Sequence, residues 1–557
     1  MGLGVLEDHE LEHVPGTAPL NELGRENFNT SGVDSSILKH DPTGQIVLVP
    51  QPSDSPNDPY NWSRWKKERF TIAFAFSCGA VGAVGPLLSP AFVELAAEFN
   101  IGLSNFVQGV QGGVIVAIAF GSLICNSLAV KYGKRPVYLV TTVGLMVTCF
   151  WAAAAKSFAS LVAARVIQGF CMGPLEALVP ASIADVWFVH ERGYRSAIFN
   201  LGVLGGINLA APITGALIEA SDYRVAFYAM GGAFGLALIM IFFWMPETAF
   251  VRHGAVNLDT GANNVMTELT LTHKMDATHV ETDEKTAETN AHTSTSSPAS
   301  PGSPASDTPY TFAQEMKPWS GYVNHVSLIN TTLRPFVMLA SPAVLWATLL
   351  FTTCISWLVG ISVTLSQIFS APPYNFSVTS VGLTNLSSFV ASVLATLLAG
   401  PLIDGIVRRM SLKNGGTFEP EFRLPIMISY LLFTATGFFA WGQSAAALSP
   451  WPVPVVVGLG LINFGIQLGT TGVVSYVVDC HRDKSGEAFA AMNFVKNMFA
   501  FGLVNYINNW LATQGTRNVF FVIGGLTVAA SLTTIPMYIW GKKARSWVYR
   551  KGIAGKA

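Results

Sequence analysis

The sequence predicts an all-α membrane protein of twelve transmembrane helices, arranged as two pseudo-symmetric six-helix bundles. Three observations carry this. Only 12% of the 557 residues are charged, about half the share usual in soluble domains. Long uncharged runs recur from Thr71 nearly to the C-terminus, and basic residues gather at alternate breaks between them.

The chain opens with a polar tail, residues 1–68, rich in Asp, Glu, Asn and Pro. It has no basic stretch leading into a short apolar core, so no cleavable signal peptide is expected and the first membrane helix directs insertion. A helix rising about 1.5 Å per residue needs about 20 apolar residues to cross a bilayer core. Six such runs lie near 70–93, 105–129, 136–156, 159–187, 195–220 and 225–246. Six more lie near 341–368, 379–404, 424–444, 451–479, 485–512 and 518–540. Lipid tolerates only helices and closed barrels, and the period-2 alternation of a barrel strand is missing, so these are helices.

Basic residues accumulate on the cytoplasmic side of membrane proteins. With the N-terminus inside, the inner connections hold Lys66, Lys67, Arg69, Lys131, Lys134, Arg135, Arg192, Arg195, Arg408, Arg409, Lys413, Arg423, Arg482 and Lys484; the outer loops hold only Lys156, Arg224 and Arg517. Both termini, including a basic tail at 541–557, are therefore expected in the cytosol. The expected units are six-helix bundles at 69–246 and 339–540. Between them lies a polar stretch, 247–338, containing TSTSSPASPGSPASDTPYT. It buries too little apolar surface to offset its ordering entropy, so most of it is expected to be a disordered cytosolic tether. A phosphorylated regulatory segment is the alternative.

Composition also excludes function classes. A net charge of -1 offers no basic field, so nucleic acid is dismissed as a partner. The six cysteines have neither CxxC nor zinc spacing, so no disulfide framework, metal site or cofactor is expected. No G-x-x-x-x-G-K-[ST], HExxH or GxSxG pattern occurs, which leaves direct ATP drive and enzymatic catalysis without residues.

The two halves repeat polar features. VKYGKRPV (Val130 to Val137) follows the second span, and GPLIDGIVRR (Gly400 to Arg409) ends the eighth. The fourth span exits through Asp185 into HERG, with Glu191 and Arg192; the tenth exits through Asp479 into CHRDKSGE. Matching halves are a signature of secondary transporters, whose site lies where the repeats meet. An acid at a helix C-terminus opposes the macrodipole unless cations lie close. Lys131, Lys134, Arg135, Arg408 and Arg409 can supply them, so these residues, with Asp185, Glu191, Arg192, Asp404 and Asp479, are the candidate cytoplasmic gate.

Further motifs are DPYNWSRWKK (Asp58 to Lys67), KYGKRPVYL (Lys131 to Leu139), RVIQGF (Arg165 to Phe170), GPLEALVPASIADVWFVHERG (Gly173 to Gly193), PPYNF (Pro372 to Phe376) and NGGTFEPEFRL (Asn414 to Leu424). In this order and placement the chain, from about 58 to 545, resembles the major facilitator superfamily. More narrowly it resembles the fungal drug:proton antiporter group with its polyamine and organic-cation carriers. There are departures. Asn126 and Val130 replace a glycine and an aspartate in the loop after the second span, leaving Asp185 as the acid for that gate. In the fifth span only Pro212 and Gly215 match the antiporter pattern.

Glu176, mid-way along the fourth span, is the sharpest chemical signal. A carboxylate there is costly and faces a cavity or a partner, which suits a group alternating between protonated and charged forms. Arg165 falls within about 20° on the same face but about 16 Å away along the axis. It is read as the charge that biases Glu176, the two forming the proton-coupling set. Permanent neutralisation inside the bundle is the structural alternative.

Lys496, on the eleventh span with Asn493 on nearly the same face, can compensate Glu176 across a central cavity, which disfavours a cationic substrate; the alternative is that it snorkels to a polar edge. Asn463 and Gln467, and Gln108 and Gln111, each present amides along one face for a substrate or for neighbouring helices. Trp357 and Phe464 are candidate cavity walls. Asn375 begins a sequon in a short outer loop, where modification is disfavoured; Asn29 and Asn61 begin cytosolic ones.

The function expected is proton-coupled transport of a small organic molecule by alternating access in a lipid bilayer. The resemblance implies a monomer exporting a drug, toxin or secondary metabolite across a fungal plasma membrane. Proton-coupled uptake of a polyamine or other organic cation is one alternative, and a non-transporting receptor on the same fold is another.

Overall fold

The structure is a computed structural model and describes residues 3–11, 14–19, 52–250, 309–319, 321–323, 327–415, 417–481 and 484–553. Side chains are described for all of these but 18, 19, 189–194, 196 and 197.

The first half comprises α1 (Arg64–Val84), α2 (Gly113–Tyr132), α3 (Lys134–Ala154), α4 (Phe158–Ala177, resumed as Val179–Val186), α5 (Val189–Ala220) and α6 (Tyr223–Trp244). The second begins with α7 (Pro342–Phe369), α8 (Asn385–Lys413), α9 (Met427–Ala446) and α10 (Gly460–Cys480). A continuous run, Ser485–Leu532, then turns at Gly515 (φ 76°). Only a residue without a Cβ adopts that conformation freely, so the run divides into α11 (485–514) and α12 (516–550, including Thr534–Arg550). Among the described residues eleven apolar helical runs are long enough to cross a membrane, and the last, at 66 residues, holds two crossings. The expected all-α fold of twelve spans is the one observed.

Local chemistry sets the boundaries. Ser63, Ser157 and Asp222 cap the starts of α1, α4 and α6 with side-chain oxygens that accept backbone N–H groups, which satisfies donors the helix cannot. Gly133 joins α2 to α3 at φ 94°, and a Cβ there would lie 2.4 Å from the Glu247 carboxylate.

In the first half α2 packs on α4, α1 on α5 and α3 on α6; in the second, α7 packs on α11 and α8 on α10. Two seams join the halves, α2 with α11 and α5 with α8. They are equivalent under exchange of the halves, as a twofold repeat of six helices requires. At the seams and inside each half, glycines let backbones touch. A Cβ on Gly82 of α1 would meet the Val203 carbonyl of α5 at 2.3 Å, and one on Gly382 the Ala211 carbonyl at 2.3 Å. Outward faces carry exposed apolar side chains such as Val140, Leu397 and Ile428, the surface a hydrocarbon solvent allows.

Two segments outside the spans have more structure than the sequence suggested. Within the stretch expected to be a tether, Leu328–Met338 is helical and Phe312–Glu315 forms a capped turn. Glu315 pairs with Lys66 at 2.6 Å, and Arg135 donates to the Met316 and Lys317 carbonyls. These polar contacts offset ordering entropy that composition alone would leave uncompensated. The Ser- and Pro-rich run at 251–308 lies outside the described residues, as does Asn29. The N-terminal segment is also engaged. Ala18–Pro19 (β1) pairs antiparallel with Thr417–Phe418 (β2), and the Leu6 amide donates to the Ile539 carbonyl at 2.9 Å. Both termini therefore lie at one end of the molecule.

Candidate functional site

The α4 helix is broken where Glu176 sits. Pro180 cannot donate to the Glu176 carbonyl four residues earlier, and Pro174 lies within the preceding turn. A missing i→i−4 bond bends or interrupts a helix, and α4 restarts at Val179. The Glu176 Oε2 atom lies 2.9 Å from Lys496 Nζ of α11. The two side chains are 20% and 6% exposed. Lys496 Nζ also lies 5.7 Å from the ring centroid of Phe351 on α7. The Ser356 hydroxyl donates to the Lys496 carbonyl at 3.4 Å, and the Cys78 thiol of α1 faces the Leu175 carbonyl beside Glu176 at 3.7 Å. An acid of one half and a base of the other thus meet where α1, α4, α7 and α11 converge. The contact costs nothing in net charge and is broken if the halves separate there.

Arg165 is placed elsewhere. It is fully buried, and it donates to the Val84 carbonyl at 2.9 Å, the Gly85 carbonyl at 2.7 Å and Gln168 Oε1 at 2.7 Å. Its guanidinium lies 5.8 Å from the Phe227 ring centroid. A cation at carbonyls that end a helix is favourable, so Arg165 ties α4 to the end of α1. The expectation that it biases Glu176 finds no contact between them among the described residues.

The amides divide. Asn463 Nδ2 donates to Ser388 Oγ at 2.9 Å, and Asn463 Oδ1 accepts from Asn208 Nδ2 of α5 at 3.4 Å. Asn208 also reaches Ser392 at 3.3 Å. This makes a second polar bridge between halves, and the sequence reading passed over Asn208 because a lone Asn in an apolar run carries no spacing signal. Gln467 Nε2 donates to Thr396 at 2.8 Å, and Asn493 bonds its own helix at the Phe489 carbonyl.

Gln108 and Gln111 do not share a face: Gln108 is exposed and Gln111 buried. Residues Gln108–Gly112 form a wider π turn, whose i→i+5 bonding displaces the three-residue neighbour that an α-helix would align. Trp357 is buried and edge-on to Phe499. Phe464 packs on Phe433 of α9 at 4.9 Å, so its contact is with the neighbouring helix. Among the described residues, buried atoms of Gln111 (Oε1), Gln467 (Oε1), Asn497 (Nδ2) and Trp357 (Nε1) have no hydrogen-bond partner. Such groups suit a polar ligand or water.

At the end bearing the termini, Lys134 pairs with Asp185 at 2.6 Å, and Arg423 pairs with Asp479. Each half thus closes its acid, at the end of α4 or α10, with a cation from the loop between its second and third or eighth and ninth spans. In the sequence Arg423 is one inner basic residue within a motif; in the structure it takes the place in the second half that Lys134 takes in the first. Glu247 accepts the Lys134 and Arg135 amides at 3.0 Å each, while Arg135 itself donates to the Phe242 and Met245 carbonyls. Lys131 lies over Tyr132 and Tyr322. Glu68 and Arg195 form a two-pronged pair, at 2.9 and 2.5 Å, that joins α1 to α5. Asp404, Arg408 and Arg409 are exposed on α8. The side chains of Glu191 and Arg192 lie outside the described residues.

Two six-helix halves with an ion pair between them describe a broad class of carriers, and comparison with known proteins narrows it. A sequence profile of the Major Facilitator Superfamily matches residues 70–504. The chain belongs to this superfamily. Among superfamily relatives, Protein HOL1 of Saccharomyces cerevisiae is 26% identical, over 98% of this chain and 97% of its own. The MFS antiporter QDR3 of Candida albicans is 21% identical, over 94% and 86%. Among solved structures, the major facilitator proton:xylose symporter XylE, bound to 6-bromo-6-deoxy-D-glucose, superposes with a TM-score of 0.59 at 15% identity. That match covers 86% of this chain and 97% of XylE and speaks to the fold alone. Among the described residues no three His, Cys, Asp or Glu side chains are grouped to hold a metal.

Proposed function

We propose that this major facilitator protein is a proton-coupled secondary transporter that exports a small organic molecule by alternating access. The observation that carries the reading is the 2.9 Å contact between Glu176 and Lys496 across the two halves. An ion pair formed only while the halves are together is a switch. A proton on Glu176 removes the attraction, and its departure restores it, so protonation and rocking become linked. The moving units are the bundles at 69–246 and 339–540, with the Lys134–Asp185 and Arg423–Asp479 pairs as gate elements at the cytosolic end.

Exchange of a cargo for protons is a form of antiport, the activity in the name of the antiporter QDR3. The protein acts as a monomer in a fungal plasma membrane, with both termini in the cytosol. The cationic Lys496 beside Glu176 disfavours a polyamine cargo, because like charge repels it. Gln111, Gln467, Asn497 and Trp357 offer hydrogen bonds to a polar but uncharged group.

The test is a proteoliposome assay with an imposed pH gradient and a panel of fluorescent organic compounds, comparing wild type with Glu176→Gln. Gradient-driven accumulation is expected in the wild type and is lost in the variant while binding persists. Unchanged coupling in Glu176→Gln overturns the reading.

A further inference from the structure

We propose that the N-terminal residues 3–11 and 14–19 form an intramolecular latch on the second half, and that docking them favours one arrangement of the two halves. Its anchoring is extensive. The Leu3 carbonyl accepts from the Tyr538 hydroxyl at 2.8 Å, and the Leu6 amide bonds the Ile539 carbonyl. Glu7 meets Lys542 at 2.6 Å, and Glu10 meets Arg550. Val5 and Val14 are buried, at 6% and 4% exposure. The segment ends in the short ladder of β1 with β2. A peptide held only by surface charge would bury neither valine nor strand edge.

The surface beneath is a built one. Arg545 of α12 donates to Glu419 and Glu421 at 2.9 Å each, and Lys542 meets Glu419 at 2.7 Å. Arg545, Glu419 and Glu421 are at most 2% exposed. The latch completes this cluster: the Pro15 carbonyl accepts from Arg545, and the Thr17 hydroxyl donates to Glu419 Oε2 at 2.7 Å. Buried charges need such partners, and one left incomplete is strongly unfavourable.

The latch also touches the gate. Gly16, at φ 89°, lies so close to the end of α10 that a Cβ would meet the Asp479 carbonyl at 2.8 Å, and Asp479 is the acid paired with Arg423. The first half has a parallel contact, where the Tyr60 hydroxyl donates to the Ala184 carbonyl, next to Asp185, at 2.7 Å. The N-terminal region thus reaches the ends of both α4 and α10, the acid-bearing ends that separate if the halves part at that side. Docking itself is independent of the transport reading; its effect on opening rests on alternating access.

Thr17 supplies the test, because Thr17→Asp sets a second carboxylate against Glu419 while Thr17→Ser keeps the donor. Hydrogen exchange of the full chain in lipid nanodiscs reads docking. Segments 3–11 and 417–424 are expected to exchange at least ~10-fold more slowly in wild type and Thr17→Ser than in Thr17→Asp. Equal rates in wild type and Thr17→Asp overturn the latch.

Spin labels on Trp65→Cys and Leu412→Cys, exposed positions on opposite halves at the latch end, read the consequence. The six native cysteines are buried, so labelling goes to the introduced ones. Thr17→Asp is expected to broaden the distance distribution. Protected segments in wild type combined with superimposable distributions overturn the effect on opening and leave the docking in place.

Discussion

Glu176 and Lys496, 320 residues apart in the chain, meet at 2.9 Å at the junction of the two halves. Removing one partner of a buried pair leaves the other charge uncompensated, at a cost of about 3–5 kcal/mol. The 20% exposure of Glu176 argues for the lower end of that range. Glu176→Gln and Lys496→Met are each expected to lower the thermal midpoint in nanodiscs, and the double variant to recover most of the loss. A double variant no more stable than the worse single one would show that the pair does not act as a unit.

Arg165 fastens α4 to the end of α1 through a fork of hydrogen bonds. Lysine keeps the charge but not the planar fork. Arg165→Lys is expected to destabilise by about 1–3 kcal/mol, the cost of leaving buried carbonyls unsatisfied. If the side chain were instead the charge biasing Glu176, Lys would preserve stability and pH-dependent coupling together, whereas a fastening role shifts the thermal midpoint first. Measuring both quantities on the same variant separates the roles.

Helices α1 and α5 touch through backbone. A Cβ at Gly82 would lie 2.3 Å from the Val203 carbonyl, and one at Gly206 2.2 Å from the Gly79 carbonyl. Gly82→Ala or Gly206→Ala is expected to cost about 1–3 kcal/mol, as overpacking does. Gly502→Ala is the control, since nothing among the described residues lies within 4 Å of its Cβ position. Equal midpoints for Gly82→Ala and Gly502→Ala would contradict the close approach.

His481, just past α10, is buried and shares a hydrogen bond with Ser341 at 3.0 Å. Burial, with Arg545 and Lys484 nearby, pushes its imidazole down to about 4 from an ordinary 6.5. The folded state therefore holds a neutral ring where the unfolded chain binds a proton, so stability is complete above pH 6.5 and falls as pH drops toward 4. The loss amounts to about 3 kcal/mol. Thermal midpoints recorded from pH 7.5 down to 4.5 are expected to fall less steeply in His481→Gln than in wild type. Parallel slopes would remove His481 as the source.

The membrane spans were legible because hydrocarbon demands continuous apolar helices, and runs such as 225–246 meet that demand without a charge. Glu176 and Lys496 were legible as chemistry for the same reason, since a charge inside such a run stands out against its surroundings. Arg165 stood out equally, but a helix face specifies direction and not partner, and its partners proved to be backbone carbonyls of α1. The Gln108–Gln111 face failed because a π turn changes the angular step, which no residue pattern announced.

By itself, then, the sequence determined the solvent each segment requires, the number of crossings and the repeat that halves the chain, because transfer to lipid is a local property of each run. Only the tertiary structure decided which charges meet: Lys496 with Glu176, Arg423 with Asp479, and the N-terminal segment with Arg545 and Glu419. Those pairings span from 56 to 530 residues. They depend on distances of a few ångströms that only the packing of whole helices can set.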